Sequence, residues 1–204
     1  MGFYGEHVLP RITDKLLGNR EFAKVRREEC EGLRGDVIEI GFGSGLNVPC
    51  LPPEVTGIWA VEPSNVARKL AAARVAASTV AVHQAGLDGA RIDMPDDRFD
   101  SALSTMTLCT IPDAGLALRE LRRVLKPGGM FHFAEHGLAP DDRVARTQHR
   151  CNGFQRRVAG GCNLNRDITA LVTGAGFEIE ALRNFSLKGP KPWGYMYVGR
   201  ARNP

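Results

Sequence analysis

The sequence predicts an α/β fold in which helices cover both faces of a mostly parallel sheet. Three observations carry this prediction: short apolar runs alternate with segments of helical periodicity, glycine turns follow the apolar runs, and 43% of the 204 residues are hydrophobic. This length suffices for one domain, residues 1–204, with a full core. Strands and helices that alternate at short spacing are typical of a doubly wound parallel sheet.

The elements follow one another in a regular order along the chain. Five parallel strands are predicted at residues 36–41, 56–61, 79–84, 101–106 and 130–136, and two further strands at 177–187 and 193–201. Helices are predicted at 65–77, 112–125, 140–159 and 167–174, and one or two more within an N-terminal flap at 1–35. Each strand is a short apolar run bounded by turn residues, and each helix has apolar residues at a spacing of three or four.

Local signals support the individual boundaries. Ser64 is placed to cap the helix at 65–77, and Pro112 fits the first turn of the next helix. The segment Lys126-Pro-Gly-Gly129 is expected to end that helix. The last two strands follow each other without a long helix, which predicts an antiparallel hairpin at one edge of the sheet. Together the elements predict a Rossmann-like, mostly parallel sheet of seven strands with an antiparallel C-terminal hairpin.

Composition excludes several classes of protein. The net charge of +4 is mild and gives no indication of a nucleic-acid partner. No apolar run reaches the roughly 20 residues of a membrane span, so we expect a cytoplasmic protein without stable membrane insertion. The five cysteines form no Cys-x-x-Cys pair, and we expect free thiols rather than a metal site or disulfides. No sequence feature indicates an oligomeric state.

The glycine turn after the first strand predicts a nucleotide site. Gly41, Gly43 and Gly45 let the chain turn sharply before a helix. A dinucleotide fingerprint requires a third glycine at position 46, which is Leu46, and no Gly-Lys-Ser or Gly-Lys-Thr of a phosphate loop follows. Glu62 ends the second strand, where a carboxylate can accept hydrogen bonds from ribose hydroxyls.

An ordered set of motifs resembles the class I S-adenosylmethionine-dependent methyltransferases, in particular their small-molecule branch. The set comprises EIGFGSG at 39–45, Glu62, Gly86, LSTMTLCTI at 103–111 and LRELRRVLKPGGMF at 118–131. A narrower resemblance, through TMTLC at 105–109, AEH at 134–136 and GCNL at 161–164, points to the membrane-associated methyltransferase-like proteins that methylate alkyl thiols. The apolar N-terminal anchor of those proteins has no counterpart in this sequence, so their membrane location is not expected here.

The resemblance implies S-adenosyl-L-methionine as the cofactor, with S-adenosyl-L-homocysteine as its product. The implied cofactor-binding residues are Glu39, Gly41, Gly43, Gly45, Glu62, Pro63, Gly86, Leu87, Asp88 and Thr105. By this resemblance, the glycines shape the turn around the methionine part, Glu39 holds the loop or a water, and Glu62 binds the ribose. Pro63 and Leu87 pack on the adenine, and Thr105 offers its backbone carbonyl to the methionine amine.

Two positions depart from the usual pattern of these enzymes. Phe42 stands where a small residue or a cysteine is more common, and Leu87 stands where an acidic residue is often found. The second departure leaves the amino group of the adenine to Asp88 or to the backbone N–H groups of residues 86–88.

Methyl transfer from a sulfonium is an in-line displacement, in which the protein mainly supplies alignment and a dry pocket. The methyl acceptor is expected to be small and apolar. A thiol, with a pKa of about 8.5, needs less help to ionise than a phenol at about 10, and an amine is also possible. His136, which follows the fifth strand, is the candidate catalytic base.

Other residues near this edge of the sheet are ambiguous. Glu135 can bind a loop amide or the substrate, and Cys109 fits a core position better than a reactive one. The helix at 140–159 is expected near the substrate pocket, and its arginines form a solvated face or attract an anionic acceptor. Two alternatives to an enzyme of this kind stay open: a regulator that binds the cofactor without catalysis, and, opposed by Leu46, a nicotinamide-dependent oxidoreductase.

Overall fold

A computed structural model describes residues 3–204, so the first two residues of the predicted flap lie outside the described chain. The strands are β1 (Gly35–Ile40), β2 (Val55–Val61), β3 (Ala81–Gly86), β4 (Phe99–Thr105), β5 (Leu125–His136), β6 (Glu178–Ser186) and β7 (Tyr195–Arg202). The α-helices are α1 (Leu9–Leu17), α2 (Arg20–Cys30), α3 (Asn65–Ala76), α4 (Ala114–Val124), α5 (Asp142–Val158), α6 (Ile168–Gly174) and α7 (Lys191–Gly194). A π-helical turn (Tyr4–Val8) and a 3₁₀ turn (Val48–Cys50) complete them.

The seven strands form one sheet in the order β3-β2-β1-β4-β5-β7-β6. Strand β1 pairs in parallel with β2 and β4, whereas β7 runs antiparallel to both β5 and β6. The predicted mostly parallel sheet with an antiparallel C-terminal hairpin is therefore confirmed. Strand β7, the last in the chain, pairs with both β5 and β6, so β6 is the edge strand.

Helices cover both faces of the sheet and enclose two large apolar clusters. On one face α6 and α4, with residues such as Leu121, pack on strand residues such as Ile38 and Phe131. On the other face, residues such as Leu33, Ile58 and Leu103 are buried together with the end of α2 and with α3. Strand β1 is buried over its last four residues, as expected for a central strand with helices on both sides.

The boundary between α4 and β5 differs from the prediction. The segment Lys126-Pro-Gly-Gly129 does not merely end the helix; it lies within β5 as a wide bulge, because Phe99 pairs with Leu125 and Ser101 with Met130. Asn203 holds this bulge: its side chain donates to the Leu125 carbonyl (2.7 Å), and its backbone carbonyl accepts from the Gly128 N–H (2.7 Å). Asn203 lies 75 residues after Gly128, so local sequence cannot predict this contact. The Lys-Pro-Gly-Gly segment by itself therefore indicated only a turn.

The helix starts follow side-chain caps. Ser64 caps α3 by accepting from the Ala67 N–H (3.1 Å), as predicted. Asp113 caps α4 by accepting from the Leu116 N–H (2.8 Å), so Pro112 lies just before the helix and not in its first turn. Among the helices of residues 3–204, none is both long and apolar enough to cross a bilayer.

Candidate functional site

A cavity of about 580 Å³ lies at the carboxyl ends of β1, β2 and β4. This is the edge of a doubly wound sheet at which ligands bind, and the volume is that of a small-molecule site. Its walls are the glycine turn after β1, the segments after β2, β3 and β4, the inner side of α1, and the Ala159–Gly161 segment after α5. The N-terminal segment thus reaches the cavity through Leu9, Pro10, Thr13 and Leu17.

The glycine turn needs its glycines for both conformation and space. Gly41, Gly43 and Gly45 have φ angles of 70°, 58° and 72°, in the region that residues with a side chain rarely adopt. A Cβ at Gly41 would also overlap the hydroxyl of Thr107 in the loop after β4. The turn can therefore lie directly against the β4 loop, with its backbone open to the cavity.

Glu62 links the turn to the end of β2. Its carboxylate accepts the N–H of Gly43 (2.7 Å) on one oxygen and the N–H of Ser64 (2.8 Å) on the other. Burial raises the pKa of Glu62, and these two hydrogen bonds partly offset the rise. Each oxygen has a second lone pair, so the carboxylate can also accept hydroxyl groups from a ligand in the cavity.

A buried polar cluster lies beneath the cavity. Asn47 donates to the carboxylate of Glu39 (2.7 Å) and to the Thr105 hydroxyl (2.8 Å), and that hydroxyl lies 2.8 Å from the carboxylate of Glu29 on α2. Burial raises the pKa of Glu39 to about 8 and that of Glu29 well above its usual value. Burial thus favours the protonated form of both acids.

Three buried atoms of this region have no hydrogen-bond partner within residues 3–204: Nε of Arg26, Oε2 of Glu39 and Oδ1 of Asn47. All three residues line the cavity. Unpaired buried polar groups cost free energy, and in a native protein they indicate a missing partner. A zwitterionic amino-acid group fits these atoms, since an ammonium can donate to the oxygens of Glu39 and Asn47 and a carboxylate can accept from Arg26. The methionine end of S-adenosylmethionine is such a group.

The structure brings most of the predicted cofactor residues to the cavity. Those that line it are Glu39, Gly41, Gly43, Glu62, Pro63, Leu87, Asp88 and Thr105. Leu87 is 60% exposed, so an apolar surface is free beside Pro63. Gly45 and Gly86 do not line the cavity: Gly45 packs behind the turn against the Phe42 ring, and the Gly86 carbonyl accepts the N–H of Glu62 (3.1 Å).

His136 does not line the cavity. It is 4% exposed, and its Nε2 lies 2.8 Å from the sulfur of Cys162. His136 is the last residue of β5 and pairs with Met196 of β7. The antiparallel pairing of these two strands therefore determines its position. The candidate base is therefore buried in the wall behind the site.

Glu135 acts on the loop after β4. Its carboxylate is fully buried and accepts the Ser104 hydroxyl (2.9 Å) and the N–H groups of Thr107 (2.8 Å) and Leu108 (2.9 Å). Of the two roles considered from the sequence, the structure shows the first: Glu135 binds the amides of the loop. The same loop holds Met106 at a φ of 54°, an uncommon value for a residue with a side chain, and Met106 lines the cavity.

Sequence reasoning missed three buried residues of the site. Arg26, Glu29 and Asn47 gave no signal because a charged or amide residue on a helix or in a turn is most often solvated. Their partners are distant in the chain; Glu29 and Thr105 are 76 positions apart. The one or two helices predicted within residues 1–35 are present as α1 and α2.

The fold and the cavity are those of an α/β protein with room for a nucleoside that carries an amino-acid end, at the carboxyl edge of its sheet. Residues 38–133 match the family model described as a methyltransferase domain. Thiol S-methyltransferase TMT1A of Homo sapiens is 27% identical over 214 residues, covering 93% of this chain and 84% of that protein.

Two solved structures show the same fold. An S-adenosylmethionine-dependent methyltransferase of Thermotoga maritima has a TM-score of 0.69 at 21% identity and covers 98% of this chain and 100% of its own. A Haemonchus contortus phosphoethanolamine N-methyltransferase in complex with S-adenosylhomocysteine has a TM-score of 0.71 at 16% identity, covering 96% and 57%. The matched domain, the curated relative and these folds support an S-adenosylmethionine-dependent methyltransferase.

Proposed function

We propose that this enzyme transfers the methyl group of S-adenosylmethionine to the sulfur of a small, apolar thiol. The observation that carries the proposal is the apolar part of the cavity lining. Leu9, Leu17 and Ile111 belong to it, together with prolines and the two glycines after α5. An apolar wall of this kind suits an uncharged acceptor.

The lining of the cavity favours sulfur over a phenol oxygen, because no histidine lines it within residues 3–204. Its carboxylates are Glu39 and Glu62, which are held by hydrogen bonds, Asp14, which pairs with Arg74 (3.0 Å), and Asp88. A thiol with a pKa of about 8.5 is partly ionised at neutral pH without a base, whereas a phenol at about 10 is not. The similarity to a human thiol S-methyltransferase over most of both chains supports the same choice.

The proposed binding mode follows the polarity of the cavity. Glu62 accepts the ribose hydroxyls, Pro63 and Leu87 flank the adenine, and Asp88 lies near its amino group. Arg26, with the acids and amides beneath the cavity, holds the amino-acid end. The roles of the glycines, of Gly86 and of the Thr105 carbonyl stay predictions from the resemblance.

The reaction needs alignment more than acid–base chemistry. The cofactor supplies an activated methyl group. The acceptor sulfur forms the new bond to the methyl carbon as the bond from that carbon to the cofactor sulfur breaks, and the electron pair of that bond stays on the cofactor as S-adenosylhomocysteine. The thiol proton leaves to solvent. The chain's part is to hold the two sulfur atoms in line and to keep water out with α1 and the Ala159–Gly161 segment.

A panel of acceptors tests this proposal. We expect S-adenosylhomocysteine to form with alkyl and aryl thiols, and more slowly with phenols and amines of matched shape. Faster turnover of a phenol or an amine than of the matching thiol would contradict it. A cytoplasmic location without stable membrane insertion stays a prediction from composition.

A further inference from the structure

Three side chains outside the cofactor cavity converge on one buried point. Cys109 in the loop after β4, His136 at the end of β5 and Cys162 in the segment after α5 are all buried, and their donor atoms lie within 4.8 Å of one another. The two sulfur atoms are 3.8 Å apart, and Nε2 of His136 lies 2.8 Å from Cys162 Sγ. Composition alone predicted only free thiols, because the three residues are far apart in sequence.

We propose that Cys109, His136 and Cys162 bind a thiophilic divalent metal ion, Zn²⁺ in the first instance. Two thiolates about 2.3 Å from a tetrahedral Zn²⁺ are about 3.8 Å apart, and an imidazole nitrogen at about 2.0 Å lies about 3.5 Å from each. The observed sulfur–sulfur separation already has this value. The nitrogen–sulfur contact must open by about 0.7 Å, which a small rotation of the His136 ring provides.

The charges around the cluster also fit a dication. Two thiolates neutralise Zn²⁺, so the loaded site has no net charge to bury. The nearest ionisable neighbours already balance one another: Glu135 is held by the amides of the β4 loop, and the guanidinium of Arg166 donates to the carbonyls of Leu108 and Ile111. A metal ion bound with loss of both thiol protons leaves that balance intact.

A Cys109–Cys162 disulfide is the competing use of the same sulfur atoms. It would require the sulfurs to approach from 3.8 Å to about 2.05 Å. A disulfide would also remove the thiol that now contacts Nε2 of His136. The other ring nitrogen, Nδ1, has no hydrogen-bond partner within the described chain. A metal ion uses all three donors, and this favours the metal.

The site would tie together two walls of the cavity. The backbone carbonyl of Cys109 accepts from both the backbone N–H (2.8 Å) and the side-chain amide (3.0 Å) of Asn163, so the two loops already touch. Thr110 and Gly161, the neighbours of the two cysteines, line the cavity. Three protein ligands leave one position of a tetrahedral ion for water or a small ligand. This proposal is independent of the identity of the methyl acceptor.

The test is metal content and cobalt spectroscopy of the full chain, with no activity readout. We expect about one Zn²⁺ per chain after expression with zinc, and a thiolate-to-metal charge-transfer band when Co²⁺ replaces it. Cys109→Ser and Cys162→Ser should each weaken Zn²⁺ affinity by at least about 100-fold, beyond what loss of an outer partner costs. Cys151→Ser, a half-buried cysteine outside the cluster, is the matched control and should bind as the wild type does.

Three results would overturn the proposal. The first is wild-type protein that takes up neither Zn²⁺ nor Co²⁺. The second is metal binding that survives both serine variants, with circular dichroism showing that they are folded. The third is a Cys109–Cys162 disulfide in protein purified without reductant. Because the wild-type cobalt spectrum needs no variant, the test holds even where a substitution impairs folding.

Discussion

At the scale of single residues, the site contains acids whose pKa is raised by burial. Glu62 lines the cavity and is connected to the glycine turn by the Gly43 N–H. Glu39 and Glu29 lie deeper and share Asn47 and Thr105. The proposed binding mode assigns the nucleoside to Glu62 and the amino-acid end to the deeper residues.

Replacing Glu62 tests the nucleoside end. Glu62→Ala removes charged hydrogen bonds to the ribose and should weaken S-adenosylhomocysteine binding by about 2 kcal/mol, or roughly 30-fold. Isothermal titration calorimetry measures the change. Glu54→Ala, an exposed acid just before β2, is the control and should leave the dissociation constant unaltered. A Glu62→Ala variant that binds as tightly as the control would refute the assigned role.

The pKa of Glu39, raised to about 8 by burial, makes cofactor affinity depend on pH. The ammonium of the ligand favours the carboxylate form, so binding must release a proton below that pKa. The affinity for S-adenosylhomocysteine should therefore rise from about pH 6 to about pH 8, by at most tenfold per pH unit for one proton. Calorimetry in buffers of different ionisation enthalpy detects the proton. Glu39→Gln should flatten the profile; a wild-type affinity that is constant over this range would speak against the coupling.

At the scale of elements, α1 and the segment after α5 form the cover of the site. The hydroxyl of Tyr4 donates to the Val158 carbonyl (2.9 Å), and Gly160 lies against Leu9. Both segments line the cavity. The N-terminal flap and the substrate pocket near the helix at 140–159 stay predictions.

Gly160 allows a test of this cover. Its φ is 61°, and a Cβ there would collide with the Leu9 side chain. Gly160→Ala should displace Leu9 and raise KM for the acceptor several-fold, while the dissociation constant of S-adenosylhomocysteine changes little. Gly153→Ala within α5 meets no atom within 4 Å and should leave both constants unchanged. Equal kinetic constants for the two alanine variants would show that the contact with α1 does not matter for the acceptor.

The packing of α2 on β5 depends on a histidine that stays neutral. Nδ1 of His132 lies 2.7 Å from the Glu29 carbonyl, and burial lowers the pKa of His132 to about 4. Its ordinary pKa of about 6.5 applies in the unfolded chain, so the unfolded state binds more protons between these values. Stability should fall as pH drops from about 6.5 to 4, by up to about 3 kcal/mol from this group.

Urea unfolding between these pH values measures the effect. His132→Gln removes the titration and should show a shallower loss of unfolding free energy on acidification. His83 on β3, whose exposed ring lies over Trp59, gives the control His83→Gln, which should retain the wild-type slope. Identical slopes for the two variants would assign the acid lability to other groups.

At the scale of the whole molecule, the sequence contained the sheet and the nucleoside end of the site but not the contacts between distant segments. Gly41, Gly43 and Glu62 were predictable because a turn conformation and a strand end are local properties. Arg26 and Asn47 were not, since they matter only through partners brought close by packing. His136 could be assigned to the end of a strand, but whether it faced the cavity depended on pairing with β7.

We propose that the molecule aligns a thiol with the activated methyl group and needs no base to do so. The most direct measurement is the transfer of isotopically labelled methyl from S-adenosylmethionine to an alkyl thiol and to the phenol of matched shape, followed as labelled product by mass spectrometry. We predict a labelled thioether, at a rate at least about tenfold above that of the phenol near neutral pH, where their ionised fractions differ by a similar factor. Labelled phenol ether as the dominant product, or labelled cofactor that binds and is never consumed, would contradict the account.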